Sequence, residues 1–170
     1  MKEFNIRLSD KLSENKFFDE PTAIDISKLE FAVLRFSTKY AQTEWKIVLG
    51  DADERIPLRG LIQIWSDIPT EMSKINSMNG EGKLDFFEPG YEKVVVMKSI
   101  SKKDVEFRFV SYRASNDVDL ISPTVIKKSA LLTEWSCFIN QIINLLIKLE
   151  LIAASDDSVK SYLASMPKID

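Results

Sequence analysis

The segment LLTEWSCFINQIINLLIKL, residues 131–149, decides the class of the fold. When successive residues are placed about 100° apart, as in an α-helix, its apolar side chains fall within one arc about 160° wide. A stripe of that width predicts a long amphipathic helix that lies across the face of a sheet. The apolar side chains are Leu131, Leu132, Trp135, Phe138, Ile139, Ile142, Ile143, Leu145, Leu146 and Leu149.

The opposite side of this predicted helix is polar but uncharged, although Glu, Lys and Arg normally cover a helix face in water. Amide side chains without charge are typical of a surface that is partly covered. Two explanations stay open: cover by a final short helix, predicted at about residues 156–166 with Ser155 as its N-cap, or cover by a partner protein. The uncharged polar residues are Ser136, Asn140, Gln141 and Asn144, and Cys137 lies beside them.

Strand patterns precede the long helix. Residues 84–88 alternate between apolar and polar side chains and stop at Pro89-Gly90. Residues 94–97 and 105–109 flank the polar turn Lys102-Lys103-Asp104, which predicts a β-hairpin. A loop is predicted over residues 116–119, before the helix begins.

The first third of the chain also has strand patterns. Phe4, Ile6 and Leu8 share one face of a short strand. Residues 29–40 carry apolar side chains on both faces, which predicts a central strand, and the short link 41–43 predicts a hairpin with a strand at 45–49.

A helical period begins after Pro57, where Leu58, Leu61, Ile62 and Trp65 follow the spacing of one helix face. A second helix is predicted to start at Pro69 and to end at Asn79-Gly80. The order of elements is therefore strands, helices, strands, helices. We predict one α+β domain over residues 1–170, with a mainly antiparallel sheet and helices packed on one face.

The composition limits the chemistry that the chain can perform. The 170 residues include 23 basic and 26 acidic side chains, no histidine and one cysteine, and the net charge is −3. Catalysis by Ser-His-Asp or Cys-His groups and metal sites built from histidine or several cysteines are therefore excluded. No glycine-rich phosphate-binding motif occurs, so we expect no cofactor and no enzyme activity. The acidic balance also argues against nucleic-acid binding.

The sequence also bears on location. The N-terminal residues lack the charged and apolar regions of a secretory signal, and a single cysteine fits a reducing compartment. The longest uncharged stretch, residues 135–147, is shorter than the roughly 20 apolar residues of a membrane span. We predict a cytoplasmic protein that does not contact a membrane.

Two acidic groups are candidate contacts for a basic protein partner. The first is Asp51, Asp53 and Glu54; it begins like a calcium loop, but Arg55 and Ile56 occupy positions that need an oxygen ligand and glycine, so no metal site is predicted. The second group lies on and around the strand at 84–88. A glycosidase-like carboxylate pair is an alternative for that group, and a solvated strand face is another. The second group consists of Glu81, Asp85 and Glu88.

The layout resembles small bacterial immunity proteins that neutralise polymorphic or contact-dependent toxins. The strands at 29–49, the run 81–112 with its turn Phe86-Phe87-Glu88-Pro89-Gly90, and the closing helix from Leu131 carry this resemblance, together with size and acidity. It implies a non-enzymatic protein that binds a cognate, often basic, toxin domain and blocks its active site. A secretion or assembly chaperone that binds a partner segment is the alternative, and the oligomeric state is left open.

Overall fold

The computed structural model describes residues 3–22, 25–88, 91–113 and 116–168. Its strands form two antiparallel sheets, which confirms the α+β class but divides the strands between two sheets. The three-stranded sheet contains, in spatial order, β1 (Phe4–Leu8), β2 (Glu44–Leu49) and β3 (Ala52–Pro57). The four-stranded sheet contains, in spatial order, β4 (Glu81–Glu88), β5 (Tyr91–Ser99), β6 (Asp104–Arg113) and β7 (Asn116–Lys127).

Five α-helices occur in the described part of the chain. The predicted long C-terminal helix is confirmed as α4, and the two predicted helices after Pro57 are confirmed, the first of them preceded by a 3-10 turn at Leu58–Gly60. The predicted final helix is also confirmed, although its N-cap is Asp156 and not Ser155. The helices are α1 (Lys28–Lys39), α2 (Leu61–Trp65), α3 (Ile68–Asn76), α4 (Lys128–Lys148) and α5 (Asp157–Ser165).

The predicted central strand at residues 29–40 is wrong, because this segment forms α1. Leu29, Ala32, Val33 and Phe36 are buried at helical spacing, which outweighs the strand-like alternation of the same residues. A capping box fixes the start: the Ser27 hydroxyl accepts a hydrogen bond from the backbone N–H at residue 30, and the carboxylate there accepts one from the Ser27 N–H. Strand β2 therefore pairs with β1 and β3 instead of forming the predicted hairpin.

The predicted loop at residues 116–119 is also wrong, because these residues begin β7. The register between β6 and β7 shifts near Phe109, whose partner is Ile121, whereas Phe107 faces Thr124. Between these two pairs β7 has two residues where β6 has one, and Pro123 is one of the two. Since β7 is an edge strand, its proline needs no ladder hydrogen bond on the open side.

One core is shared by both sheets and the helices. The inner faces of the sheets meet where the rings of Phe4 and Phe107 lie 5.1 Å apart. Trp45 of β2 lies 5.8 Å from Phe86 of β4 and is stacked on Phe138 of α4 at 4.9 Å between ring centroids. The buried side of α4 therefore closes the space beside the two sheets, as its apolar stripe predicts.

Helix α4 is also long and apolar enough, by length and composition alone, to cross a membrane, with a mean hydropathy of 1.3. Core helices of soluble proteins pass the same test. In this chain 44% of the most apolar window is buried against the rest of the chain.

The end of α3 depends on two residues. Asn79 adopts a left-handed backbone conformation with φ 61°, which asparagine tolerates better than most residues. The next residue, Gly80, lies so close to α3 that a Cβ atom there would come within 1.7 Å of the Lys74 carbonyl oxygen. Glycine is therefore needed at position 80 for space, and this close approach brings α3 onto the start of β4.

Candidate functional site

The strands of the four-stranded sheet alternate between a core side and an exposed side. Leu84, Val95 and Phe107 point into the core. We call the opposite side, which carries residues 81, 83, 85 and 87 of β4 and their cross-strand partners, the outer face. Alternation along paired strands places these side chains in rows across the sheet.

The centre of the outer face is apolar. Val94, Val96 and Val110 are only 4%, 7% and 2% exposed, yet they are not part of the core cluster. Val94 and Val110 are direct cross-strand partners. Phe87, 58% exposed on the edge strand β4, and half-buried Tyr112 extend this apolar centre at one end.

Charged side chains surround the apolar centre. The described side chains of this rim comprise five carboxylates and three cations, so the outer face has an excess of negative charge. Glu81 forms an ion pair with Lys83 (3.3 Å) and faces Lys98, which in turn faces Glu106. The rim consists of Glu81, Lys83, Asp85, Glu92, Lys98, Glu106, Arg108 and Asp119.

Helices α2 and α3 reach the four-stranded sheet along the β4 edge. The side-chain amide of Gln63 accepts a hydrogen bond from the Phe87 N–H (2.8 Å) and donates one to the Phe87 carbonyl (2.6 Å). The Glu71 carboxylate accepts a hydrogen bond from the Lys83 N–H (2.8 Å). Backbone groups of β4 at two positions are thus satisfied by side chains, which hinders the addition of a partner strand at this edge.

The six predicted contact residues lie in different parts of the structure. Glu81 and Asp85 lie together and exposed on the outer face. Glu88 ends β4, and its side chain lies outside the described residues. Asp51 is exposed in the turn between β2 and β3.

The other two predicted carboxylates belong to β3 and lie on opposite sides of it. Asp53 faces solvent and pairs with Lys46 at 3.4 Å. Glu54 points inward and accepts a hydrogen bond from the ammonium group of Lys93 at 2.6 Å. Because the inner faces of the two sheets share the core, the outer face and the exposed side that carries Asp53 point away from each other. The six residues therefore do not form one surface.

Sequence reasoning missed both the ion pair between the sheets and the apolar centre of the outer face. Lys93 is 7% exposed and reaches Glu54 from the inner side of β5. A signal for the apolar centre was present: residues 94–97 are apolar at four consecutive positions, which indicates a strand with apolar side chains on both faces.

The uncharged polar side of α4 is exposed. Cys137, Asn140, Gln141 and Asn144 all face solvent, and only Ser136 is half-buried. The final helix is anchored at Trp65, on which Tyr162 of α5 stacks at 4.8 Å and to whose carbonyl oxygen it donates a hydrogen bond, and its end borders Ser136 and Asn140. Cover by the final helix, the simpler of the two sequence-based explanations, therefore holds only beside Ser136, and the rest of this side of α4 is exposed.

A buried lysine and serine lie together at the start of α4. The ammonium group of Lys128 donates a hydrogen bond to the Ser99 hydroxyl at 2.8 Å, and burial lowers the pKa of Lys128. Ser–Lys pairs act in some hydrolases. Here both residues are buried, and the Ser99 hydroxyl donates to the Ser101 carbonyl at 3.2 Å. The pair therefore joins the end of β5 to the start of α4, out of reach of a substrate.

Two carboxylates have pKa values that are shifted downward. A hydrogen bond from Lys127 lowers the pKa of Asp104, and a hydrogen bond from the Ser158 hydroxyl lowers the pKa of Asp156. Among the described residues, no group of three or more acidic, histidine or cysteine side chains is arranged to hold a metal ion.

Comparisons were made with known proteins at three levels. No family model, curated protein sequence or solved structure matches this chain.

Proposed function

We propose that this chain is a non-enzymatic binding protein of the immunity type, which neutralises a bacterial toxin domain by docking its outer face onto that domain. The single observation that carries the proposal is the composition of this face: the exposed ring of Phe87 beside a stripe of well-packed valines, surrounded by charges with an excess of carboxylates.

This composition matches the usual anatomy of a protein–protein interface. Such interfaces have an apolar centre that loses its water and a polar rim that stays partly solvated. Phe87 is the natural anchor, because its exposed ring can be buried by a partner and aromatic side chains often dominate binding energy. Asp85 and the other rim carboxylates would attract a basic partner and accelerate its association.

The antiparallel geometry supports binding by a rigid surface. Strands β4, β5 and β6 pair without interruption over the rows that contain Val94 and Val96. Side chains on a continuous sheet are held in fixed positions, which reduces the entropy that is lost on binding. The capped β4 edge hinders strand addition on the side of the sheet where Phe87 and Asp85 lie.

The test is co-expression, in a bacterial host, with the product of the reading frame next to the gene for this chain, which the proposal expects to be a toxin. The proposal predicts restored growth and a complex that survives size-exclusion chromatography. Asp85→Arg is expected to weaken the purified complex about tenfold, mainly through slower association, because a rim charge then repels the basic partner. Glu150→Arg is the matched control, since Glu150 is exposed beyond α4 and not on the outer face.

Phe87→Ala tests the apolar centre separately and is expected to cost more than about 1 kcal/mol of binding free energy. Failure of the wild-type chain to restore growth and to form a complex would remove the proposal. A truncated, unfolded partner fragment that binds as tightly as the folded domain would instead favour the chaperone alternative.

A further inference from the structure

A polar groove of about 680 Å³ lies on the three-stranded sheet, away from the outer face. Four cationic and two acidic side chains line it, so the groove has an excess of positive charge in a chain whose net charge is negative. We call it the basic groove. Its charged lining consists of Arg7, Lys11, Lys46, Arg55, Asp10 and Glu44.

Three of the cations form a row across the sheet. Arg7 of β1 is the cross-strand partner of Lys46 on β2, and Lys46 is the partner of Arg55 on β3. Like charges that face each other directly across strands destabilise a sheet. An anion bound over the row would relieve this repulsion.

Intrachain carboxylates compensate only part of the row. Lys46 pairs with Asp53 at 3.4 Å, and Arg55 pairs with Glu44 at 3.5 Å. Arg7 and Lys11 form no ion pair within 4.0 Å in the described part of the chain, and Arg7 is exposed. The groove therefore holds two cations that are available to an incoming anion.

We propose that the basic groove binds an acidic peptide segment in an extended conformation. Neighbouring strands lie about 4.8 Å apart, so the row spans about 10 Å, and alternate side chains of an extended peptide lie about 7 Å apart. Two acidic side chains of such a peptide can therefore reach two cations of the row. Arginine also binds carboxylates with two parallel hydrogen bonds.

The rest of the lining suits a peptide better than a nucleic acid. Ser9, Ser13, Gln42 and Gln141 offer hydrogen-bonding side chains for a peptide backbone. Single-stranded nucleic acids usually stack on exposed aromatic rings, whereas the aromatic residue of the groove, Trp45, is 1% exposed.

The proposal is independent of the proposed function, since it concerns a different surface and needs no toxin. The experiment is fluorescence anisotropy at low salt with the full chain and a labelled peptide of Asp-Ser repeats. An Asn-Ser peptide of equal length and a labelled oligothymidylate are the comparison probes.

We expect the Asp-Ser peptide to bind, the Asn-Ser peptide not to bind, and added salt to weaken binding. The double variant Arg7→Ser/Lys11→Ser is expected to weaken binding about tenfold, since it removes the two cations of the groove that form no intrachain ion pair in the described part of the chain. The control Lys102→Ser/Lys103→Ser removes the same charge from an exposed turn and should leave the affinity within about twofold.

Three results would overturn the proposal. These are no binding of the Asp-Ser peptide at low salt, equal losses in the groove and control variants, and tighter binding of the oligothymidylate than of the peptide. Circular dichroism of each variant shows whether a loss of binding reflects a loss of folding.

Discussion

Replacing Lys93 by methionine is expected to destabilise the chain by about 3 kcal/mol, because it leaves the inward-facing Glu54 carboxylate without its cation. The two groups are 2.6 Å apart, and their side chains are 9% and 19% exposed. Removal of one partner of a fully buried ion pair typically costs about 3–5 kcal/mol. We place the loss at the lower end because Glu54 retains some contact with water.

The assay is urea denaturation at neutral pH, with the free energy of unfolding taken from linear extrapolation. Glu54→Gln should cost a similar amount, about 2–3 kcal/mol, because it leaves the ammonium group of Lys93, the more buried of the two partners, without its carboxylate. The double variant Lys93→Met/Glu54→Gln should lose clearly less than the two single losses added together, because both single variants disrupt the same pair. Additive losses, or a Lys93→Met loss below about 0.5 kcal/mol, would refute the reasoning that this pair joins the two sheets.

Four further predictions concern single positions. Gly80→Ala should destabilise the chain by about 2 kcal/mol in urea denaturation, because its Cβ would lie 1.7 Å from the Lys74 carbonyl oxygen. Gly60→Ala is the control and should be tolerated, because its Cβ would be 3.4 Å from the nearest atom. Burial lowers the pKa of Lys128 below its unfolded value of 10.5, so just below pH 10.5 the native state binds fewer protons than the unfolded state. The free energy of unfolding should therefore rise with pH in that range. Lys128→Met should abolish this rise. A hydrogen bond from the Ser158 hydroxyl lowers the pKa of Asp156, so the contribution of Asp156 to the free energy of unfolding is present above pH 3.8 and is lost as the pH falls through the lowered pKa. Asp156→Asn should therefore reduce the fall in the free energy of unfolding at acid pH. An unchanged fall would contradict the assignment. Exposed Cys137 should react with a thiol reagent in the native state at the rate of a solvent-accessible thiol, and a strongly protected thiol would contradict the exposed side of α4.

The elements with dense local patterns could be predicted from the sequence. The apolar residues of α4 follow helical spacing over several turns, which excludes a strand. The apolar residues of β5 and β6 follow strand patterns on both sides of a polar turn, which excludes a helix. The strand prediction for residues 29–40 failed because their apolar residues fit both strand alternation and helical spacing. The capping box of Ser27 and Glu30 was the signal that distinguishes the two, since it marks the start of a helix.

The candidate site could be predicted only in part. Glu81 and Asp85 share a face because residues four apart on a strand point the same way. Asp53 and Glu54 belong to a segment that begins like a calcium loop, but β3 begins at Ala52, so strand alternation directs one carboxylate outward and the other to Lys93. The partner of Glu54 lies 39 residues away, and no local pattern indicates a contact at that distance in the sequence.

Binding through the outer face is tested by a methyl NMR titration of the full chain with its proposed toxin partner, once co-expression has identified that partner. We expect the methyl signals of Val94, Val96 and Val110, which lie under the outer face, to shift or broaden on binding, while those of the core valines Val33 and Val95 stay unchanged. A complex that forms while the outer-face valines stay unchanged, with shifts confined to α4 or to the three-stranded sheet, would contradict binding through the outer face.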